Sequence, residues 1–198
     1  MKIQLAAFVL LLAPGALAGQ MQARATASSY GVAVRTASVN VKSPSVVSPA
    51  DGTLAQDQGS TVTVATLVTA QDAFAMASGD GTNPADAFSS ATLGTVSILN
   101  GLITADGVVA MASSTAEGSN AEGSSIANLV VNGVQVAAPA PNTRVELAGV
   151  GYVVLNEQVP TSNGITVNMI HVVLQQRVLG GYLTTGDIVV GSASSSVN

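Results

Sequence analysis

The chain has 198 residues, no cysteine and a formal charge of −5, with 9% of its residues charged and 47% hydrophobic. So much apolar content with so little charge excludes a solvated disordered chain, and without cysteine there is neither a disulfide nor a thiolate metal site. A single histidine leaves no imidazole cluster for zinc or copper. The basic residues Arg24, Arg35, Lys42, Arg144 and Arg177 are too scattered to track a phosphate backbone, so nucleic acid is not an expected partner.

At the amino terminus Lys2 precedes an apolar stretch over residues 3–13, broken only by Gln4. Pro14-Gly15 and the small residues of Ala16-Leu17-Ala18 follow. That order is the pattern of a secretory signal over residues 1–18, cleaved before Gly19. The run is too short to cross a bilayer, which takes about 20 residues. Residues 19–198 are then expected to form a single extracellular domain with five basic and eleven acidic residues, large enough to bury its own core. No later stretch is apolar enough to anchor it, so no integral membrane segment is expected after cleavage. The chain lacks a lipobox cysteine and any Asn-x-Ser/Thr sequon.

Beyond the signal the bulk is Ala, Val, Ser, Thr and Gly, residues that suit closely stacked strands. Strands are predicted over 30–35, 38–41, 61–70, 95–99, 102–104, 107–112, 126–131, 134–136, 144–147, 153–155, 165–174 and 182–190. Asn-Gly or Asp-Gly pairs recur at Asp51, Asp80, Asn100, Asp106, Asn132 and Asn163. Both residue types tolerate positive φ, so between apolar runs such pairs predict hairpins, best placed at Asn100-Gly101, Asn132-Gly133 and Asn163-Gly164. Residues 83–89 are a weak helix candidate behind Pro84. Residues 43–59 and 137–142 read as crossovers between sheets, and the tail 191–198 as a loosely held end. Residues 67–78 align without gaps to 102–113, placing Met76 and Met111 at equivalent positions as expected core fillers. The predicted fold is an all-β, jelly-roll-like antiparallel β-sandwich, with a β-solenoid as the alternative.

Several segments, in this order and spacing, resemble the choice-of-anchor P family of secreted bacterial proteins. They are Ser28-Ser-Tyr-Gly31, Asn100-Gly-Leu-Ile-Thr-Ala-Asp106, Ser125-Ile-Ala-Asn-Leu129, Val154-Leu-Asn-Glu157, Ile165-Thr-Val-Asn-Met-Ile-His171 and Gly186-Asp-Ile-Val-Val-Gly-Ser192. The resemblance spans almost the whole of residues 19–198. It implies an extracellular location and a shared fold, with no reaction attached. The chain ends at Asn198 without a sorting motif or apolar tail, so an unanchored, secreted member is expected.

Residues able to carry chemistry are few. His171 could serve as a general base, but no Gly-x-Ser-x-Gly elbow accompanies it, and a hydrogen-bonded strand histidine is the plainer reading. Asp80, Asn83 and Asp86 offer three oxygens around a turn as a candidate calcium site, short of the six to eight that calcium takes. Glu117 and Glu122 read as turn residues, and the absence of Trp disfavours a glycan platform. Gly149-Val-Gly151 lacks the third glycine of a dinucleotide loop and reads as close strand packing. The expected function is therefore a secreted, non-catalytic structural or interaction protein without a cofactor, its partners being copies of itself or extracellular surface and matrix material. The alternative is a binding module for a small ligand, a glycan or calcium.

Overall fold

The computed structural model describes residues 24–81 and 85–198; the expected signal and Asn83 lie outside the described residues. The strands are Ala25–Thr36 (β1), Asn40–Val47 (β2), Ala55–Val64 (β3), Val68–Asp80 (β4), Asp86–Ile98 (β5), Ile103–Thr115 (β6) and Gly118–Asn120 (β7). They continue with Ser125–Ile126 (β8), Val130–Val131 (β9), Val134–Gln135 (β10), Thr143–Leu147 (β11), Gly151–Pro160 (β12), Gly164–Val178 (β13) and Gly181–Val197 (β14). One sheet is ordered β11-β12-β13-β14-β1-β2 and the other β10-β9-β6-β5-β4-β3, with β7 and β8 also pairing β6. The ladders are antiparallel, and the two sheets stack as the expected β-sandwich. Stacked coils of a solenoid would pair in parallel, so that alternative is excluded. The wiring is simpler than a jelly roll's, because the chain changes sheet only at 48–54 and 136–142 and otherwise runs as meanders.

Several local expectations are corrected. The tail is not loose: residues 191–197 complete β14, held between β13 and β1, and Asn198 exchanges backbone bonds with Arg24. Residues 86–89 belong to β5 rather than a helix. The stretch 61–70 is two strands, split by a tight turn in which the Leu67 amide donates to the Val64 carbonyl. The loop 43–59 is mostly strand, leaving only 48–54 as crossover. Asn132-Gly133 closes the β9–β10 hairpin with φ of 52° and 76°, as expected. Asp106-Gly107 makes no hairpin and sits inside β6. Met76 and Met111 are half-buried on the outer face of their sheet, since the alternating residues Ala75, Ala77, Ala110 and Ala112 are the ones turned inward.

The cause of the misplaced Asp-Gly turn is the main irregularity of the fold. A regular strand turns every second side chain inward, yet here the inward set shifts by one residue in strand after strand. The buried positions run Ala27, Ser29, then Val32, Val34 in β1, and Val68, Ala70, then Ala73, Ala75 in β4. They run Ala91, Leu93, then Val96, Ile98 in β5, and Ile103, Ala105, then Val108, Ala110 in β6. In β14 they run Ile188, Val190, then Ala193, Ser195. The shifts fall in register. Ser60, Asp72, Gly94 and Gly107 stand opposite one another across one sheet, and Pro44, Gly31, Gly191, Met169 and Asn156 across the other. Four of these nine positions are left-handed: Asp72 (φ 52°), Gly107 (75°), Gly191 (67°) and Asn156 (48°). One left-handed residue in a strand reverses the facing of all that follow, so a crease crosses both sheets. Residues 67–78 and 102–113 look alike because β4 and β6 flank β5 and are creased at equivalent positions, Asp72 and Gly107.

The crease divides the sandwich into unlike halves. On one side the inward residues include Val32, Val34, Ile98, Ile103, Leu147, Leu155, Ile170 and Ile188. On the other, the inward residues of β1, β4, β5, β6 and β14 are mostly small, among them Ala27, Ser29, Ala75, Ala77, Ala87, Ser89, Ala110, Ala112, Ala193 and Ser195, with Leu93 and Val108 beside the crease itself. There the sheets come within side-chain-to-backbone hydrogen-bond reach. Ser29 Oγ donates to the Met76 carbonyl (2.9 Å), and Ser89 Oγ to the Ser194 carbonyl (2.9 Å). Ser114 and Ser195 pair through their hydroxyls at 2.7 Å. At the crease a Cβ on Gly31 would lie 2.9 Å from Pro44 Cδ and 3.2 Å from Ala73 Cβ of the opposite sheet. In a gap this narrow a larger side chain forces the layers apart. Ala75→Leu is expected to cost about 1–3 kcal/mol, read as a lowered urea midpoint, and an unchanged midpoint would contradict the narrow gap.

Candidate functional site

The outer face of the first sheet carries the cluster nearest to chemistry. On β13, Ile170 and Val172 turn into the core, so His171 between them faces out. On an ordinary strand Asn168, three residues back, would face the opposite way. The crease at Met169 returns it to the same face. Its ladder partners Glu157 on β12 and Ser192 on β14 stand beside it. Each of the three borders a crease position, next to Asn156, Met169 and Gly191 respectively.

These side chains form one chain of hydrogen bonds. Ser192 Oγ donates to Asn168 Oδ1 (2.7 Å), Asn168 Nδ2 donates to Glu157 Oε2 (2.6 Å), and His171 Nδ1 lies 2.9 Å from the same oxygen. A carboxylate there fixes the proton on Nδ1, which therefore donates. The His171 and Glu157 side chains are 23% and 19% exposed, so the pair is shielded but reachable by water. The bond from His171 is the main cause holding Glu157 below the usual carboxylate range, against burial and with help from Asn168. Conversely, the bond to Glu157 raises the His171 pKa above its ordinary value against burial, with Asp187 adding to the rise and Arg35 opposing it. Arg35 reaches Asp187 at 3.3 Å, and the Lys42 ammonium lies 4.4 Å from the centre of the Tyr30 ring.

A carboxylate that orients an imidazole is two thirds of a hydrolytic triad. The third member is missing among the described residues: Ser192 is spent on Asn168, and no hydroxyl bonds Nε2 of His171. The arrangement instead joins β12, β13 and β14 where the crease interrupts their ladders. Glu157, Asn168 and Ser192 were not singled out by the sequence as partners of His171. Three of the segments that carry the family resemblance supply them, but only the crease puts residues 168 and 171 on one face.

The other candidates lie apart. Asp80 and Asp86 stand opposite each other at the end of the β4–β5 ladder, both exposed, while Asn83 is outside the described residues. Among the described residues no group of three or more His, Cys, Asp or Glu gathers as metal ligands would. Glu117 and Glu122 sit in turns, Glu117 held low by the Thr115 hydroxyl. Gly151 is packed so closely that a Cβ would fall onto the Val173 carbonyl. A cleft of about 590 Å³ opens beside it, lined in part by Arg144, Glu146, Gln175, Arg177 and Tyr182. Arg144 already stacks on Tyr152 at 3.6 Å and pairs with Glu146 at 2.7 Å.

Fold and site together define a creased antiparallel β-sandwich whose outer face carries a Glu157–His171 pair tied through Asn168 to Ser192. No protein-family model, no curated protein and no solved structure matches the chain.

The Glu157–His171 pair makes stability depend on pH. The raised histidine contributes stability that is complete below its ordinary value of 6.5 and disappears as pH rises through the folded value. The depressed glutamate contributes stability that is complete above 4.5 and disappears as pH falls through the folded value. Chemical denaturation should therefore show stability declining from pH 6.5 upward, a decline absent in His171→Gln. Parallel curves for the two proteins would contradict the ion pair.

Proposed function

We propose that the chain is an exported, non-catalytic structural or interaction protein of the extracellular space, acting by association with copies of itself or with surface material. The observation that carries this reading is a hairpin that runs on beyond the ladders of both neighbouring strands. Beyond Leu174 and Gly186, the ends of β13 and β14 leave both neighbouring strands, and residues 176–185 are all exposed. Leu179 is 106% exposed, Tyr182 70% and Leu183 56%. Apolar residues held in solvent on a ribbon are the mark of a contact surface. Export is supported by the pattern of residues 1–18, and the extracellular setting by the resemblance to choice-of-anchor P proteins. The hydrogen-bonded cluster around His171 supports a non-catalytic reading, its hydroxyl and amide being committed to one another.

Residues 19–198, purified without a tag, should associate in a concentration-dependent way in sedimentation velocity, or be retained by producing cells after washing. A monomer at every concentration, with no retention, would overturn the proposal.

A further inference from the structure

The projecting hairpin has unpaired backbone on both sides. β12 pairs β13 only as far as Gly151 opposite Leu174, with the Gln175 amide bonding the Val150 carbonyl just beyond. β1 pairs β14 only as far as Thr36 opposite Gly186. The arm is thus a two-stranded ribbon, a unit of marginal stability in water by itself. Arg177 is its only charge, and no Asp or Glu occurs between Glu157 and Asp187 in a chain that is otherwise acidic.

A receptor of matching character exists elsewhere on the surface. β3 is an edge strand of ten residues without lysine, arginine or proline. Its one charge, Asp57, lies near the start of the strand and accepts the Ser45 amide of β2 at 3.0 Å. Past Asp57 the crease at Ser60 opens a cleft of about 440 Å³ lined by Gln58, Gly59, Ser60, Asp72, Ala73 and Phe74. The cleft therefore joins an unpaired strand edge, an aromatic ring and an exposed carboxylate. The other edges are less suitable. β10 has two residues, β11 has five, and β2 carries Lys42 and Pro44, which blunt an edge.

We propose, building on the reading above, that the β13–β14 arm of one copy docks on β3 of a second copy. It extends that sheet by backbone pairing, seats Tyr182 beside Phe74, and brings Arg177, the ladder partner of Tyr182 on the same face of the arm, to Asp72. Pairing an added strand to an exposed edge is an established mode of protein association. Arm and receptor are different surfaces of one molecule, so the contact is head-to-tail and propagates into chains rather than closing a two-fold dimer.

The experiment uses residues 19–198 and the absence of native cysteine. Copies carrying Tyr182→Cys are mixed with copies carrying Ser60→Cys under mild oxidation, and the products are identified by peptide mapping. The 182–60 disulfide should dominate over 182–182 and 60–60. In sedimentation velocity, replacing residues 177–182 by Asn-Gly should weaken association at least about tenfold, and Arg177→Glu and Asp72→Asn should each weaken it severalfold. Circular dichroism should be unchanged throughout, because the arm lies outside the core. Asn keeps the left-handed tolerance that position 72 needs. If the shortened arm fails to fold, the disulfide map and Asp72→Asn decide alone. Association that survives arm removal, or a random disulfide pattern, overturns the docking while leaving self-association intact. A monomer under all conditions overturns the docking and self-association together, with cell retention then deciding whether an interaction role survives.

Discussion

The close approach of the two sheets on one side of the crease governs the rest of the molecule. Where Ser29 bonds the Met76 carbonyl and Ser89 the Ser194 carbonyl, the facing positions of β1, β4, β5, β6 and β14 are filled mainly by alanine and serine. A single sequence must therefore fill a thin half mainly with Ala and Ser and a thick half mainly with Val, Ile and Leu. It must also change inward parity between them. The unusual composition follows from that geometry: small residues are the condition under which the thin half packs at native density.

The same crease explains the polar cluster. A break in parity interrupts ladder bonds in several strands at once, and side chains beside the break can replace them. Ser192, Asn168, Glu157 and His171 do so on the outer face, joining three strands through contacts of 2.6–2.9 Å. Inside, the serine hydroxyls find partners across the sheets, and among the described residues no buried side-chain polar atom lacks one. A fully satisfied network of this kind rigidifies. His171 is tied into this network through Glu157.

The strand-rich class, the Asn132-Gly133 hairpin and the strand over residues 165–174 were legible from turn chemistry and alternation. So was the likeness of residues 67–78 to 102–113, though its meaning was not. Asp106-Gly107 is a sound hairpin signal in isolation, because it reports tolerance of positive φ; it does not report whether the chain reverses or only creases. Serines 192, 194, 195 and 196 read as a loose polar end because polarity stands in for exposure in a one-dimensional reading. Burial of Ser195 becomes understandable only once Ser114 is placed across from it. The partners of His171 were hidden for the same reason, since regular alternation puts residues 168 and 171 on opposite faces.

The arm and the crease meet in the account of association, because the crease at Ser60 and Asp72 shapes the edge to which an arm can pair. The crease itself is tested most directly by NMR on labelled protein. With φ of 52° at Asp72 and 48° at Asn156, both residues should give strong intraresidue amide-to-Hα NOEs, and Gly31 Hα should show an NOE to the Ala73 methyl across the sandwich. Weak intraresidue NOEs at Asp72 and Asn156, as in uninterrupted extended strands, would contradict the crease and the narrow half that depends on it.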